Sequence, residues 1–583
     1  KIGLLLVILI SCALGNDTGP FPAANFAPER TDEFVVQVVP GTHFSLLEKM
    51  HNVTFVKSLR TRENFHIFQL PHSEHEPLFH LSPHIISFER QYTNKRFKKD
   101  LFFSDPLYHL QWHLHDSSSH HDLGAEGAWN LGYFGNGILV SVVDDGLDYH
   151  HPDIFESYVP EASLDVGEND LDPIPSSWDT HGSEVGGVVG GIANNGNCGA
   201  GVAPEVDIAA IRLLVGDPSD YQEAEALQYR NDIVDIYTSS WGPYDDAQRL
   251  EGPGPLVMAA FENSTRLGRN GKGVIYTWAA GNGKTSKDNC NYDGFANSRY
   301  TIAVGATGRN GISAYYSEPC AAMVVCAPSS DSSSNMITTS SKSSDCKSNF
   351  GGTSAACPMV AGVVALCLEA NPNLGWRDVQ AILLSTATLN DPYDQDWTEN
   401  GAGYSINHSY GFGLVNATAA VLSALTWENL PQNEIYESGV LVIDEGIPDR
   451  GMGQLYLSWD CSEDMIIEHV DIFFDASHPK RGELKIELVS PMGTDSVLAD
   501  VHGDRNSNYE FWKFMTIRCW GESSLGTWQL IVSDQTSGNV GHMGFWDIRI
   551  YGHYENENTQ ESEGNASDEI PSFDFFFSDT SMQ

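Results

Sequence analysis

The sequence predicts an α/β protein built on a parallel sheet, preceded by a small α+β split-βαβ module and followed by an all-β sandwich or jelly roll. Three observations predict it. Between about residues 107 and 425, near-continuous apolar runs bounded by Gly and Asp alternate with helical patterns, as expected of strands buried on both faces. Residues 33–93 run in the order strand, helix, strand, strand, helix, strand. Beyond about residue 430 the helical patterns stop, and apolar and polar residues alternate between Gly, Asp and Pro turns. A chain of 583 residues is too long for one core, so several domains are required.

The elements follow in order. Residues 1–15 combine Lys1, a short apolar run and a small-residue end at Ala13-Leu14-Gly15. This is the pattern of a secretory signal peptide, too short to span a bilayer. The split module (16–99) has strands at 33–39, 54–59, 65–70 and 85–90, with helices at 44–50 and in a stretch reaching about Leu81. It closes on Asn94-Lys95-Arg96-Phe97-Lys98-Lys99-Asp100, either a solvated linker or a place for a cut at basic residues. The central domain (100–426) has strands at 138–143, 206–214, 233–239, 274–279 and 301–304, and active residues in such sheets gather at the carboxyl ends of strands. The sandwich (427–554) has strands at 441–443, 454–459, 466–474, 484–489, 528–532 and 545–551. The tail, 555–583, carries Glu557, Glu561, Glu563, Asp568 and Glu569 among Asn and Ser and reads as disordered.

The formal net charge of −46 argues against nucleic acid and anionic membrane as partners and for a cationic partner or substrate. No stretch after the signal is expected to cross a bilayer, so no transmembrane anchor is expected. Of the ten cysteines, Cys12 leaves with the signal, and Cys357 and Cys367 sit in an apolar helix as small hydrophobes. Spacing alone does not pair the others. Asn52, Asn263, Asn407, Asn416 and Asn565 each open a glycosylation sequon, which suits a lumenal protein.

The chemistry centres on Gly351-Gly352-Thr353-Ser354-Ala355-Ala356-Cys357-Pro358, which runs into an all-round apolar helix and places Ser354 at its positive N-terminal end. Pro358 fits a first helical turn. The plainer reading is a turn whose serine merely caps the helix. Val142-Val143-Asp144-Asp145-Gly146 ends a strand in acid, Asp179-Thr180-His181-Gly182-Ser183 opens a small-residue helix, and Trp278-Ala279-Ala280-Gly281-Asn282-Gly283 ends a strand in an exposed amide. Each alone is a turn or a cap. With Ser354 they give Asp, His, Asn and Ser in the chain order of a subtilisin-type triad with its oxyanion amide, and Asp144 and Asp145 both stand as the carboxylate.

The sequence resembles the kexin and furin branch of the subtilases, the proprotein convertases. The resemblance rests on Asp144-Asp145-Gly146-Leu147, Asn194-Asn195-Gly196-Asn197-Cys198-Gly199, Ser240-Trp241-Gly242-Pro243, Asp288-Asn289-Cys290-Asn291-Tyr292-Asp293-Gly294, Tyr315-Tyr316-Ser317-Glu318 and Gly352-Thr353-Ser354-Ala355. It extends to Arg481-Gly482-Glu483-Leu484 and Val489-Ser490-Pro491-Met492-Gly493-Thr494, similar to that family's P domain. It implies a subtilisin-like catalytic domain, an inhibitory prodomain before it and a P domain after it.

The resemblance further implies a calcium-dependent serine endopeptidase that processes secretory-pathway precursors after paired basic residues. Asp144, His181 and Ser354 would form its triad and Asn282 its oxyanion donor. Asp145 would face a basic P2 side chain, Asp245 and Asp293 would line S1, and Glu223, Glu251 and Asp220 would match outer acidic subsites. Calcium would be held by Asp105, Asp153 and Asn195, by Asp245, Asp288 and Glu318 beneath S1, and by Asp165, Asp170 and Asp172. Cys198 would pair with Cys346 and Cys290 with Cys320, leaving Cys326, Cys461 and Cys519 unassigned. The prodomain would be cut after Arg96, with Lys99 the fallback, and would stay bound until acid acts through His66. A monomer in the Golgi, secretory vesicles or outside the cell is implied. The chain departs from furin at Trp178, which stands where furin carries an S2 aspartate and has Asp179 as the neighbouring acid, at Tyr244, which replaces an acid beside Asp245, and at Phe295, which replaces a tyrosine in the S4 region. A catalytically dead binding protein and a broad degradative subtilase are the competing readings, disfavoured by the intact quartet and by the acidic pocket respectively.

Overall fold

The computed structural model describes residues 29–59, 62, 64–70, 79, 82–93, 103–116, 121–341 and 344–555. The signal segment, the basic run at 94–100, the helical stretch at 71–78 and the tail from 556 lie outside the described residues. The chain divides into two compact units, Lys1–Asp100 and Leu101–Gln583.

The first unit holds β1 (Glu29–Val38), α1 (Phe44–His51), β2 (Thr54–Ser58), β3 (Phe65–Gln69) and β4 (Ile85–Thr93), in an antiparallel sheet of order β2-β3-β1-β4. Alternate residues Phe34, Val36 and Val38 of β1 face one core with Leu47, Phe68 and Phe79. α1 ends at Asn52, whose left-handed φ of 51° is a conformation asparagine tolerates.

The second unit contains α2 (Ala125–Leu131), β5 (Leu139–Asp144), β6 (Leu164–Asp165), α3 (His181–Gly190), β7 (Asp207–Arg212), α4 (Asp220–Ala226), β8 (Ile236–Ser239), α5 (Pro255–Gly271), β9 (Ile275–Ala279), β10 (Thr301–Thr307), β11 (Met323–Pro328), β12 (Met336–Thr339), β13 (Cys346–Phe350) and α6 (Thr353–Ala370). Seven strands form a parallel sheet of order β11-β10-β9-β8-β5-β7-β6. From β5 the chain proceeds to one side through β7 and to the other through β8 to β11. The carboxyl ends of β5 and β8 therefore flank the point where strand order reverses, the usual place for a site in an open α/β sheet. The short edge strand β6 and the strand β11 escape the sequence reading. Two residues carry no periodicity, and the apolar run of β11 follows the irregular segment that holds Cys320.

α6 packs against β8, β9 and β10 and is buried from Ala355 to Leu368. By length and composition it is apolar enough to cross a bilayer, contrary to expectation, but it is the core helix of this unit. Cys357 and Cys367 are buried free thiols in it, as expected.

The sandwich joins a five-stranded sheet (Glu434–Glu437, Leu441–Ile447, Ile466–Ser477, Tyr509–Thr516 and Gly541–His553) to a four-stranded one (Leu455–Cys461, Leu484–Val489, Asp495–Ala499 and Gly526–Asp534), both antiparallel. Tyr509–Thr516 has no clean alternation because Phe511 has a φ of 53° and is exposed, which hides this strand from a period-2 reading. Ile472, Phe474, Ile486, Trp528 and Trp546 form the core, and Tyr292 and Ala321 of the α/β domain complete it. In return Met515, Ile517 and Trp520 enter the α/β core. Asn291 Nδ2 donates to the Met515 carbonyl at 2.7 Å, and the Met515 N–H donates to Asn297 Oδ1 at 2.6 Å.

Cys198–Cys346 and Cys290–Cys320 are disulfides, and Cys326, Cys461 and Cys519 are buried thiols. Of the sequons, Asn407 is 1% exposed and donates to Asp394, so folding closes it to modification, and the Asn416 side chain accepts the Ala419 N–H at a helix start.

Candidate active site

Asp144 is the last residue of β5 and His181 the first of α3. Close approach of the two elements depends on Gly182, where an added Cβ would meet the Gly146 carbonyl at 2.2 Å and Asp144 Cβ at 3.0 Å. Imidazole Nδ1 of His181 then lies 2.8 and 3.0 Å from the two oxygens of Asp144, which is 1% exposed. Asp145 does different work: its oxygens accept the N–H groups of His181 (3.1 Å) and Gly182 (2.7 Å), capping the helix that carries the imidazole. The geometry thereby separates the two adjacent aspartates. Burial raises the Asp145 carboxyl to about 6, with the Asp144 charge adding to it. Burial works to lower the His181 imidazole, but the Asp144 carboxylate outweighs it and lifts the group to about 9.

Ser354 lies in the first turn of α6, behind the N-cap Gly352, whose φ of 77° suits glycine. Ser354 is thus not the cap, and its hydroxyl is free of that duty. Pro358 lies inside α6, a turn later than expected. Its missing N–H withdraws the partner of the Ser354 carbonyl four residues back, and Ser240 Oγ donates there instead at 3.2 Å. Ser354 Oγ donates to the Ser240 carbonyl at 3.5 Å. Asn282 follows β9, and its Oδ1 accepts the Thr353 N–H (2.8 Å) and hydroxyl (3.1 Å), so its Nδ2 is the donating end, which also bonds the Asp245 carboxylate. Thr353, Ser240 and Phe350, whose ring meets His181 edge-on at 5.7 Å, escape the sequence reading although the first two stand inside quoted motifs.

Ser354 and Asn282 line a cavity of about 240 Å³ with Trp241, Gly242, Asp245 and Asp293. Asp245 Oδ2 accepts the Asn282 N–H at 2.7 Å, and Asp293 Oδ1 the Phe295 N–H at 2.7 Å. Burial pushes Asp293 up to about 8, assisted by Asp245 and Asp288, and burial also raises Asp245. Such carboxylates are poised for a cation that enters with its own charge. A second cavity of about 500 Å³ shares Trp241, Gly242, Pro243 and Tyr244 with the first and holds Asp217, Glu223, Arg249, Glu251 and Phe295. Burial, then Asp220 and Glu251, raise Glu223 to about 7. Asp220 lies in neither cavity lining: its carboxylate accepts the Leu256 (3.1 Å) and Val257 (3.2 Å) N–H groups at the start of α5. Asp179, the neighbour of the exposed Trp178, lies 3.7 Å from the Arg212 guanidinium.

Two of the expected metal sets come together. Asp105 accepts N–H groups from Asn194, Asn195 and Gly196, and Asn195 Nδ2 donates to Asp153 Oδ1 at 2.9 Å, with both acids buried. Asp245, Asp288 and Glu318 form a carboxylate cluster, Asp288 and Glu318 buried, in which burial and mutual repulsion raise Asp288 to about 6 and Glu318 well above its usual range. Three hard oxygen donors that destabilise one another fit a dication. Asp165, Asp170 and Asp172 share one tight loop, in which Asp165 and Asp170 bridge through their backbones and the Asp172 N–H donates to Asp170 Oδ1 at 2.8 Å, but their carboxylates have other ties or face solvent. Asp165 is salt-bridged to the buried Arg212 at 2.7 Å, Asp172 accepts the Tyr149 hydroxyl at 2.9 Å, and Asp170 is exposed.

A parallel sheet with an Asp–His pair at one strand end, a serine at the start of the buried helix and an amide beside that serine defines the subtilase class. The signature of the subtilase family matches residues 135–413, and that of the proprotein convertase P-domain matches 467–550. Proprotein convertase subtilisin/kexin type 5 of Rattus norvegicus is 39% identical over 502 residues, covering 81% of this chain and 28% of that protein. PC3-like endoprotease variant B of Hydra vulgaris is 37% identical over 478 residues, covering 78% and 67% respectively. The chain belongs to the proprotein convertases of the subtilase family. It spans between about a quarter and a half of the type 5 and type 6 relatives, 28% and 55% in the rat proteins. The serine protease of Aeromonas sobria shares the fold with a TM-score of 0.70 at 24% identity, over 78% of this chain and 96% of that one.

Proposed function

We propose that the chain is a calcium-dependent serine endopeptidase that cleaves secretory-pathway precursor proteins after paired basic residues, with arginine at P1. The observation that carries this reading is the cavity of about 240 Å³ in which Ser354 and Asn282 share walls with Asp245 and Asp293. A planar guanidinium offers paired donors to such acceptors, whereas an ammonium offers a point charge. Ser354 Oγ attacks the scissile carbonyl carbon, and His181 Nε2 takes the hydroxyl proton while Nδ1–H remains on Asp144. Asn282 Nδ2 and the Ser354 N–H receive the developing oxyanion, the amide contributing about 3 kcal/mol of barrier lowering. The imidazolium returns its proton to the leaving amine, the acyl-enzyme forms, and water repeats the sequence.

Asp105, Asp153 and Asn195 would hold one calcium ion, and Asp245, Asp288 and Glu318 a second, which would supply positive charge beneath S1. Residues 16–99 serve as an inhibitory prodomain, released by self-cleavage after Arg96 and then by acid. A cleavage profile of purified mature enzyme on a peptide library, with and without chelator, tests the reading. Cutting after Lys-Arg and Arg-Arg, lost together with several degrees of Tm on chelation, is expected. Full activity in excess chelator refutes the calcium requirement, and cutting without regard to P1 refutes the specificity.

A further inference from the structure

The outer cavity contains a charge of the wrong sign. Alongside Asp217, Glu223 and Glu251 it is lined by Arg249, whose guanidinium stacks over the Tyr244 ring at 4.5 Å and whose Nε lies 3.3 Å from Asp246 Oδ2. Those two partners hold it on the wall that the outer cavity shares with the inner one, since Tyr244 lines both. The loop cannot easily carry it away. Asp246 accepts the Gln248 N–H at 3.0 Å, and the Gln248 carbonyl accepts Asn506 Nδ2 of the sandwich at 2.7 Å. Its ion pair is with Asp246, which lies outside the cavity lining, and Glu223 and Glu251 belong to that lining. The cavity is therefore two-signed, acidic at Glu223 and Glu251 and cationic at the rim nearest S1.

We propose that Arg249 is a specificity-determining residue of this outer subsite, a fixed positive charge that penalises a basic side chain at P4 and confines recognition to the pair at P2 and P1. This rests on the cleft reading given above, with Phe295 marking S4. A P4 guanidinium gains from Glu223 and Glu251 but must pass a like charge that is 45% exposed, so the penalty is modest and salt-sensitive. An uncharged P4 side chain meets no such opposition.

Two peptides ending in Lys-Arg at P2-P1 and differing only in Arg or Gln at P4 measure this directly in the mature full-length enzyme. The wild type should prefer P4 Arg by less than about threefold, and Arg249→Gln by about tenfold, with the gap widening at low salt. Arg249→Lys, which keeps the charge, should retain the wild-type ratio. The P4 Gln peptide serves as the uncharged reference within each protein, so that the Arg/Gln ratio cancels any general effect of the substitution. Equal Arg/Gln ratios in wild type and Arg249→Gln overturn the proposal. Failure of the wild type to cut either peptide after arginine would instead overturn the proposed function.

Discussion

Asp293 sits where two demands meet, burial and charge. Because burial lifts its carboxyl to about 8, its charge in the proposed S1 pocket depends on the cations beside it, the calcium ion proposed at Asp245, Asp288 and Glu318 and the incoming P1 side chain. Asp293→Asn, made in protein that has already matured, should lower kcat/KM on Lys-Arg peptides by about 10- to 100-fold while activity on a neutral-P1 peptide is unchanged. Equal loss on both would assign Asp293 to the fold instead. The triad has its own pH signature. Catalysis needs neutral His181, and Asp144 raises this imidazole above its usual value, so kcat/KM should climb with pH through the raised value of about 9 and its acid limb should move down in Asp144→Asn, along with the maximum. Unchanged acid limbs in the two proteins would detach Asp144 from His181.

At the level of the element, the strands buried on both faces were legible because apolar runs at 139–144, 207–212 and 275–279 leave no alternative but the centre of a sheet. The quartet was legible because each member ends a strand or begins a helix at a quoted motif. Partnerships between side chains and distant backbone were not. Asp145 and Asp220 read as substrate-facing acids, yet Asp145 accepts N–H groups some 36 residues away and Asp220 does the same for α5, and no local pattern announces either. Pro358 was misplaced for a related reason: its compensating donor, Ser240, is more than a hundred residues distant. A test separates cap from subsite. Asp220→Ala should cost about 1 kcal/mol of stability, read as a lower Tm, and leave the P1 to P4 cleavage profile unaltered. A changed profile at unchanged Tm would restore its role in recognition.

In the whole molecule, the first unit carries two partly buried histidines through which acid would act on the proposed prodomain. His66 on β3 bonds Ser58 through Nδ1 at 2.8 Å and packs on the Phe44 ring at 4.5 Å, while His51 packs on Phe79 at 5.1 Å. Burial lowers both imidazoles, so the folded unit favours the neutral form. Its stability is complete above the ordinary value of 6.5 and falls as pH drops through that value toward the lower folded one. Activation of the cleaved complex should therefore need a lower pH in His66→Leu than in wild type, with His51 supplying the remaining response. Identical midpoints would eliminate His66.

The interlocked cores of the second unit have a consequence in time. Asp144, His181, Asn282 and Ser354 leave the ribosome well before Met515, yet the segment beside Asp293 is clamped only when the strand carrying Met515 arrives, and Tyr292 is enclosed by the sandwich core. Every member of the proposed quartet is thus synthesised before the strand that clamps the segment beside the pocket. A nascent chain emerging among other unfinished polypeptides carries the parts of a protease before the sandwich that clamps the segment beside Asp293 has been made.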